Sequence, residues 1–171
     1  MIDDVVIREL TPHGDARGFF VETWRKEWFP AGFEPLQANR ADRAARSVTG
    51  LHFHLHQVDW WYFSRGRARF VLVDLREGSA TKGEIMSTDV DASKDHVGIY
   101  VPRGVAHGFS ALTDITLSYL VDRTYDPSDE NGVAWDDPDL AIDWGVTDAI
   151  VTARDSSNPR LSELPPIVPS R

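Results

Sequence analysis

The chain has 171 residues, no cysteine and a formal net charge of −9. This length suits one domain with its own core, without disulfides or thiolate chemistry, and the lack of cysteine favours a cytoplasmic protein. The acidic balance disfavours nucleic acid and anionic membranes as partners. The sequence shows no apolar run near the length of a membrane span and no signal peptide.

Short β-branched and aromatic runs, separated by Gly, Pro, Asp and Ser, dominate the chain. In chain order they predict strands near residues 19–24, 51–54, 60–64, 68–74, 84–88, 96–101 and 116–121. Gly66 is expected to supply a hairpin turn between the third and fourth of these strands. Helix is expected only at 26–29 and for a turn or two after Asp136 or Thr147. Many short strands at this spacing predict an all-β fold, either a jelly-roll sandwich or a barrel.

No repeat or linker divides the sequence, so we predict a single domain over residues 1–171. Its last segment, 156–171, contains four prolines and is expected to be an extended or partly disordered tail.

Three histidines alternate in and just after the second predicted strand. Residues i, i+2 and i+4 of a strand share a face, so His52 and His54, and His56 if the strand extends to it, would line one side. A dry core does not favour imidazoles, which leaves a functional cavity or a solvent-facing polar surface. His107 follows a turn framed by Pro102 and Gly104. Two distant strands that bring histidines together at a barrel mouth are typical of a cupin.

A metal site is the first alternative that this arrangement raises. Metal-binding cupins carry His-x-His, an acidic residue and a distant His, and four residues approach that pattern: His52, His54, Asp59 and His107. Such ligands suit zinc, iron, nickel or manganese. The leading glycine of the signature is missing, because Gly50 stands only two residues before His52. We therefore expect neither a metal nor another cofactor.

Seven short motifs together resemble a known enzyme family. They are DxRGFFxE from Asp15, QxN from Gln37, GLH from Gly50, HGF from His107, YxPxxE from Tyr125, WxDP from Trp135 and IDW from Ile142. In this order and spacing, running to about residue 155, they resemble the signatures of dTDP-4-dehydrorhamnose 3,5-epimerases. The resemblance implies a cupin-type jelly-roll homodimer with exchanged N-terminal strands. It also implies an isomerase that acts on a dTDP-4-keto-6-deoxy sugar.

The resemblance further implies roles for individual residues. His52 would be the general base, Tyr119 the acid on the opposite face of the sugar, and Asp155 the carboxylate that orients His52. Other positions would contact the nucleotide or the sugar: Arg17, Glu22, Gln37, Asn39, His107, Tyr125, Glu130 and Arg154. The residues alone do not favour Tyr119 over Tyr62 or Tyr100 as the acid.

Two positions depart from the family pattern. Thr49 stands where the family has a phosphate-binding arginine, and Arg40, Arg43, Arg46 and Arg65 are candidates to replace that charge. The family also has a lysine some ten residues after the base, where this chain has Asp59 nearby instead. The paired His52 and His54 resemble the cupin-type nucleotide-sugar 3,4-ketoisomerases. That activity, a metal-binding cupin and a non-catalytic sugar-nucleotide-binding cupin therefore remain alternatives to epimerisation.

Overall fold

A computed structural model describes residues 1–29 and 33–170, and twelve β-strands lie within these ranges. They are β1 Val6–Glu9, β2 Pro12–Asp15, β3 Gly18–Val21, β4 Gln37–Arg43, β5 Val48–Phe53, β6 Asp59–Arg65, β7 Arg67–Asp74, β8 Ile85–Asp91, β9 Val97–Val101, β10 Val105–Ala111, β11 Ile115–Val121 and β12 Asn131–Gly132. Short 3-10 helices lie at Lys26–Trp28, Asp155–Ser157 and Leu161–Glu163. No described helix is long and apolar enough to cross a membrane.

The strands form two five-stranded antiparallel sheets. The first sheet has the order β1-β9-β6-β11-β4, and the second has the order β12-β5-β10-β7-β8. The hairpin of β2 and β3 forms a separate two-stranded sheet. Two antiparallel sheets with few helical turns confirm the predicted all-β fold.

The first core lies between the sheets. Alternate side chains of β6, such as Trp61 and Phe63, point inward and meet Phe70 and Leu72 of β7 and Phe109 of β10. The ring centroids of Trp61 and Phe63 each lie 5.7 Å from that of Phe109, at angles near perpendicular. Edge-to-face contacts of this kind add to the stabilisation from burial.

A second core covers the outer face of the second sheet. Val71 and Val73 of β7 project to this side and pack against residues of the C-terminal half, including Trp144 and Ile167. The proline-rich tail is therefore not merely extended. Its apolar residues Leu161 and Ile167 lie against the sandwich, because they cover a sheet face that would otherwise expose valines.

The predicted hairpin at Gly66 is wrong. The turn exists, and Gly66 has φ of +80°, but β6 belongs to the first sheet and β7 to the second. The chain changes sheets at this corner. A Cβ at position 66 would lie 2.1 Å from the carbonyl oxygen of Asp114, so the corner requires glycine.

The other predicted elements agree with the structure in part. All seven predicted strands overlap observed ones, and the expected helix at 26–29 is the 3-10 helix Lys26–Trp28. The predicted strand 19–24 ends at Val21. From Asp136 to Arg154 the chain forms turns and bends without helix, and the next helix is the 3-10 helix Asp155–Ser157. The prediction of a single domain remains a prediction.

Candidate active site

A cavity of about 280 Å³ opens between the two sheets. The second sheet contributes His52 from β5 and His107 from β10, which stand directly opposite each other in register. The first sheet contributes Asp59 from β6 and Tyr119 from β11. The cavity is therefore lined by polar groups from two facing walls.

Glycine allows β5 and β10 to approach each other closely beside the two histidines. Gly50 has φ of +98°, and a Cβ there would lie 2.6 Å from the carbonyl oxygen of His107. A Cβ at Gly108 would lie 2.6 Å from the carbonyl oxygen of Thr49. Side chains at these positions would push the strands apart and displace His52 from His107.

His52 forms a hydrogen bond to a buried carboxylate. Its Nε2 lies 2.6 Å from Oδ1 of Asp155, which is 2% exposed. Burial alone would raise the pKa of Asp155, but the hydrogen bond from His52, with help from the Gly50 N–H, keeps that pKa below its ordinary value. The carboxylate is therefore ionised and only accepts. Nε2 of His52 donates to it, and Nδ1 is left as the basic nitrogen.

Tyr119 lies on the opposite wall and is half-buried. Burial raises the pKa of its phenol, and the negative charges of Asp59 and Glu130 raise it further. The hydroxyl therefore stays protonated at neutral pH. A weak acid and a carboxylate-bound imidazole thus line the same cavity from different sheets.

Nδ1 of His107 lies 3.0 Å from the carbonyl oxygen of Val105. Burial lowers the pKa of His107 to about 4, although the charge of Asp59 opposes this shift. His107 is therefore neutral at pH 7. Because a carbonyl oxygen only accepts, Nδ1 carries the hydrogen and Nε2 is unprotonated.

The rim of the cavity carries an ion pair and an exposed aromatic ring. Nη1 of Arg154 lies 2.8 Å from Oε2 of Glu130. Tyr125 is 63% exposed at the same rim. These residues and His107, all expected to bind the ligand, lie together with His52 and Tyr119 at one cavity.

Four other expected ligand contacts do not line this cavity. Arg17 pairs with Asp15 at the exposed tip of the β2–β3 hairpin, and Glu22 pairs with Arg25. Gln37 donates to Asn39 and accepts from the backbone N–H of Tyr125. Within one chain, these four side chains are outside the cavity wall.

The family follows from comparison with known proteins. A family model described as dTDP-4-dehydrorhamnose 3,5-epimerase matches residues 1–163. The chain belongs to this family.

Similar proteins support this membership across nearly the whole chain. The dTDP-4-dehydrorhamnose 3,5-epimerase of Sinorhizobium fredii is 37% identical over 161 residues, covering 89% of this chain and 82% of that protein. The spore coat polysaccharide biosynthesis protein SpsL of Bacillus subtilis is 37% identical over 157 residues, covering 85% of this chain and 98% of that protein.

A solved structure extends the similarity to the fold. The crystal structure of dTDP-6-deoxy-D-glucose-3,5-epimerase from Legionella pneumophila, in complex with dTDP-4-keto-L-rhamnose, matches with a TM-score of 0.91 at 26% identity. The match covers 99% of this chain and 95% of that chain. The fold is the cupin-type jelly roll of these epimerases.

Of the four arginines considered as substitutes for the missing family arginine, Arg43 lines the cavity. Thr49, which stands where the family has that arginine, lines the same cavity. Arg40 pairs with Asp42 and lies outside the cavity wall. Ala41 and Arg43 are two residues apart on β4, so they share the face that lines the cavity. The sequence could indicate this position of Arg43 only if β4 were recognised as a strand.

The three alternating histidines separate in the structure. His52 and His54 line the cavity, but β5 ends at Phe53 and His56 is exposed outside it. The carboxylate of Asp129 accepts hydrogen bonds from the backbone N–H groups of residues 55–57 and fixes the loop that follows. Gln57 also lines the cavity and was not predicted from the sequence; its amide donates a hydrogen bond to Asp59.

Proposed function

We propose that this protein is an epimerase of a dTDP-4-keto-6-deoxy sugar, inverting carbon 3, carbon 5 or both. The observation that carries the proposal is the His52–Asp155 pair, which shares a cavity with Tyr119 of the opposite sheet. Membership of the epimerase family supports the same reaction.

The reaction needs a base and an acid on opposite faces of a sugar. A keto group at carbon 4 acidifies the hydrogens on carbons 3 and 5, and removing one of them gives an enolate. In the proposal, Nδ1 of His52 takes that proton, and Asp155 stabilises the imidazolium that forms. Tyr119 then delivers a proton from the opposite face and inverts the centre.

The charges at the rim support a nucleotide sugar as the ligand. Arg43 and Arg154 both line the cavity, and guanidinium groups bind phosphate oxygens in a bidentate manner. Arg154 already pairs with Glu130, which leaves Arg43 as the stronger candidate for the diphosphate. The Legionella enzyme was solved with a dTDP sugar, which is consistent with this ligand class.

We also propose that the working form is a cytoplasmic homodimer. The β2–β3 hairpin is a separate two-stranded sheet that exposes Phe19 and Phe20 at 58% and 64%. An isolated hairpin with exposed aromatic rings gains stability by pairing with another surface. Exchange of this region would bring Arg17 or Glu22 of each chain to the His52 cavity of its partner.

Incubation with dTDP-4-keto-6-deoxyglucose in deuterated water tests the reaction directly. Deuterium at carbons 3 and 5 identifies a double epimerase, and deuterium at one of them a single epimerase. Movement of the keto group would instead identify a 3,4-ketoisomerase, the activity that the paired His52 and His54 resemble. Binding of the sugar without exchange would contradict catalysis and favour a binding protein.

A further inference from the structure

Three buried side chains outside the proposed acid–base pair converge in the cavity. His54, Asp59 and His107 are 5%, 4% and 5% exposed, and their candidate ligand atoms all lie within 4.8 Å of one another. His54 directly follows β5, Asp59 begins β6, and His107 lies in β10. The fold therefore brings them together from both sheets.

Both imidazoles are fixed in the form that binds metal. Nδ1 of His54 lies 2.9 Å from the carbonyl oxygen of Asp129, and Nδ1 of His107 lies 3.0 Å from that of Val105. A carbonyl oxygen only accepts, so each Nδ1 donates, and Nε2 is left as the ring nitrogen that can bind a metal ion. Metal-ligating histidines are commonly held in this way by their second nitrogen.

Asp59 is a buried carboxylate bound only by neutral groups. Gln57 donates to its Oδ1 at 2.8 Å, and Nε1 of Trp61 donates to its Oδ2 at 3.0 Å. Oδ2 also lies 3.9 Å from Nε2 of His107, where two electron pairs face each other. No lysine or arginine in the described parts of the chain forms an ion pair with Asp59. A cation between these atoms would compensate a charge that is costly to bury alone.

We propose that His54, Asp59 and His107 bind one divalent first-row transition metal ion, such as zinc or iron. Two imidazoles and one carboxylate are typical ligands for such ions and leave coordination positions open. Bonds of about 2.0–2.2 Å place ligand atoms about 3–4 Å apart, so side-chain shifts of about 1 Å close the site. The proposal departs from the metal-free site expected from the sequence.

The three residues line the cavity that also contains His52 and Tyr119, so an ion bound by them would have open coordination positions for a ligand there. If the proposed function holds, the keto oxygen of the sugar is the donor suited to fill one of them. The ion would then offset the charge of Asp59 near the position where the enolate oxygen forms. This second part rests on the proposed function, whereas metal binding does not.

Binding is tested with the full chain, stripped by a chelator and reloaded with Co²⁺ or Zn²⁺. We expect about one ion per chain by elemental analysis and a visible cobalt spectrum. His54→Gln and Asp59→Asn should each weaken binding at least about 100-fold, whereas His56→Gln, an exposed neighbour, should leave it unchanged. Zinc should raise the melting temperature of the wild type and of His56→Gln only.

Three results would overturn the site. They are no stoichiometric uptake by the wild type, undiminished uptake by both ligand variants, and equal loss in the His56→Gln control. The melting curves show whether each variant is folded, so a misfolded variant is recognised and does not decide the question.

The role of the ion is tested separately by the deuterium exchange of stripped and reloaded enzyme. Exchange that depends on the metal, with a cobalt spectrum that changes on adding the 4-keto sugar, supports both parts. Exchange at full rate by stripped enzyme keeps the proposed function and overturns the role of the ion. Stoichiometric metal without any exchange supports the site and contradicts the proposed function.

Discussion

At the scale of single residues, replacing the proposed base and replacing the proposed acid should have different effects on deuterium exchange and product formation. His52→Ala should abolish both deuterium uptake and product, because no enolate forms, and general acid–base groups contribute about 10²–10⁴-fold. Tyr119→Phe removes only the proton delivered from the opposite wall, so it should still exchange deuterium while making little epimer. NMR of the recovered sugar measures both quantities. Near-normal turnover by His52→Ala would contradict the assignment.

The carboxylate behind the base can be examined in the same assay. Asp155→Asn keeps the shape of the side chain but removes the charge that stabilises the imidazolium of His52. We expect kcat to fall by about 10²-fold or more, with a small change in KM. A variant with unchanged kcat would show that Asp155 only packs against the ring.

Arg43 should matter for binding rather than for chemistry. Replacing it by Met removes a cation from the cavity wall but keeps the length of the side chain. We expect KM for the dTDP sugar to rise about tenfold, which corresponds to about 1.4 kcal/mol, with kcat little changed. Arg40→Met is the matched control, because Arg40 lies on the same strand and pairs with Asp42 outside the cavity. A similar KM rise in both variants would indicate a general charge effect.

At the scale of elements, the β2–β3 hairpin is the segment expected to hold the dimer together. Phe20→Asp places a charge on its exposed apolar face and should shift the protein towards monomer. Light scattering at micromolar concentration measures the mass, and Ile85→Asp, on exposed β8, serves as the control. A wild type that is monomeric under these conditions would contradict the proposed dimer.

The elements that the sequence failed to predict have physical causes. β4 reads QANRADR and lacks the apolar alternation of a strand, yet it pairs with β11 along its full length. Its low burial explains this, because Ala41 is the only buried residue of this strand and the backbone hydrogen bonds to β11 hold the rest. The Gly66 corner has the composition of a hairpin turn, and only the pairing of β6 with β9 and β11 shows that the chain changes sheets.

Family motifs predicted only part of the candidate site. His52, His107 and Glu130 lie inside such motifs and line the cavity, whereas Arg17, Glu22, Gln37 and Asn39 also lie inside motifs but are outside the cavity wall of one chain. The choice of Tyr119 over other tyrosines came from the resemblance alone. The convergence of His54, Asp59 and His107 depends on contacts between two sheets, which spacing along the chain does not determine.

At the scale of the whole molecule, an ion-pair network around a buried carboxylate links the N-terminal segment to the sandwich. Asp74, fully buried at the end of β7, accepts hydrogen bonds from Arg76, Ser79 and Thr81, and Arg76 also pairs with Asp4. Burial alone would raise the pKa of Asp74, but these donors hold the pKa well below its ordinary value.

This network should make folding sensitive to acid. A carboxyl whose pKa is depressed in the folded state stabilises the protein fully above its unfolded pKa of about 3.9, and that contribution is lost as the pH falls below this value. Asp74→Asn should lower the free energy of unfolding at pH 7 by about 3 kcal/mol and flatten its decline below about pH 4. Urea titrations at several pH values measure both effects. Asp89→Asn, at an exposed ion pair, should cost under about 1 kcal/mol.

The two walls of the cavity belong to different sheets, and this has a consequence for stereochemistry. His52 and Tyr119 are held apart by the packing between the sheets, so the gap across the sugar is set by core residues such as Phe109 and not by either wall alone. A looser core would let His52 return the proton to the face of the sugar from which it was removed, and the centre would not be inverted. In the proposed enzyme, the fidelity of inversion is thus a mechanical property of the sandwich, as much as a chemical property of its two reactive groups.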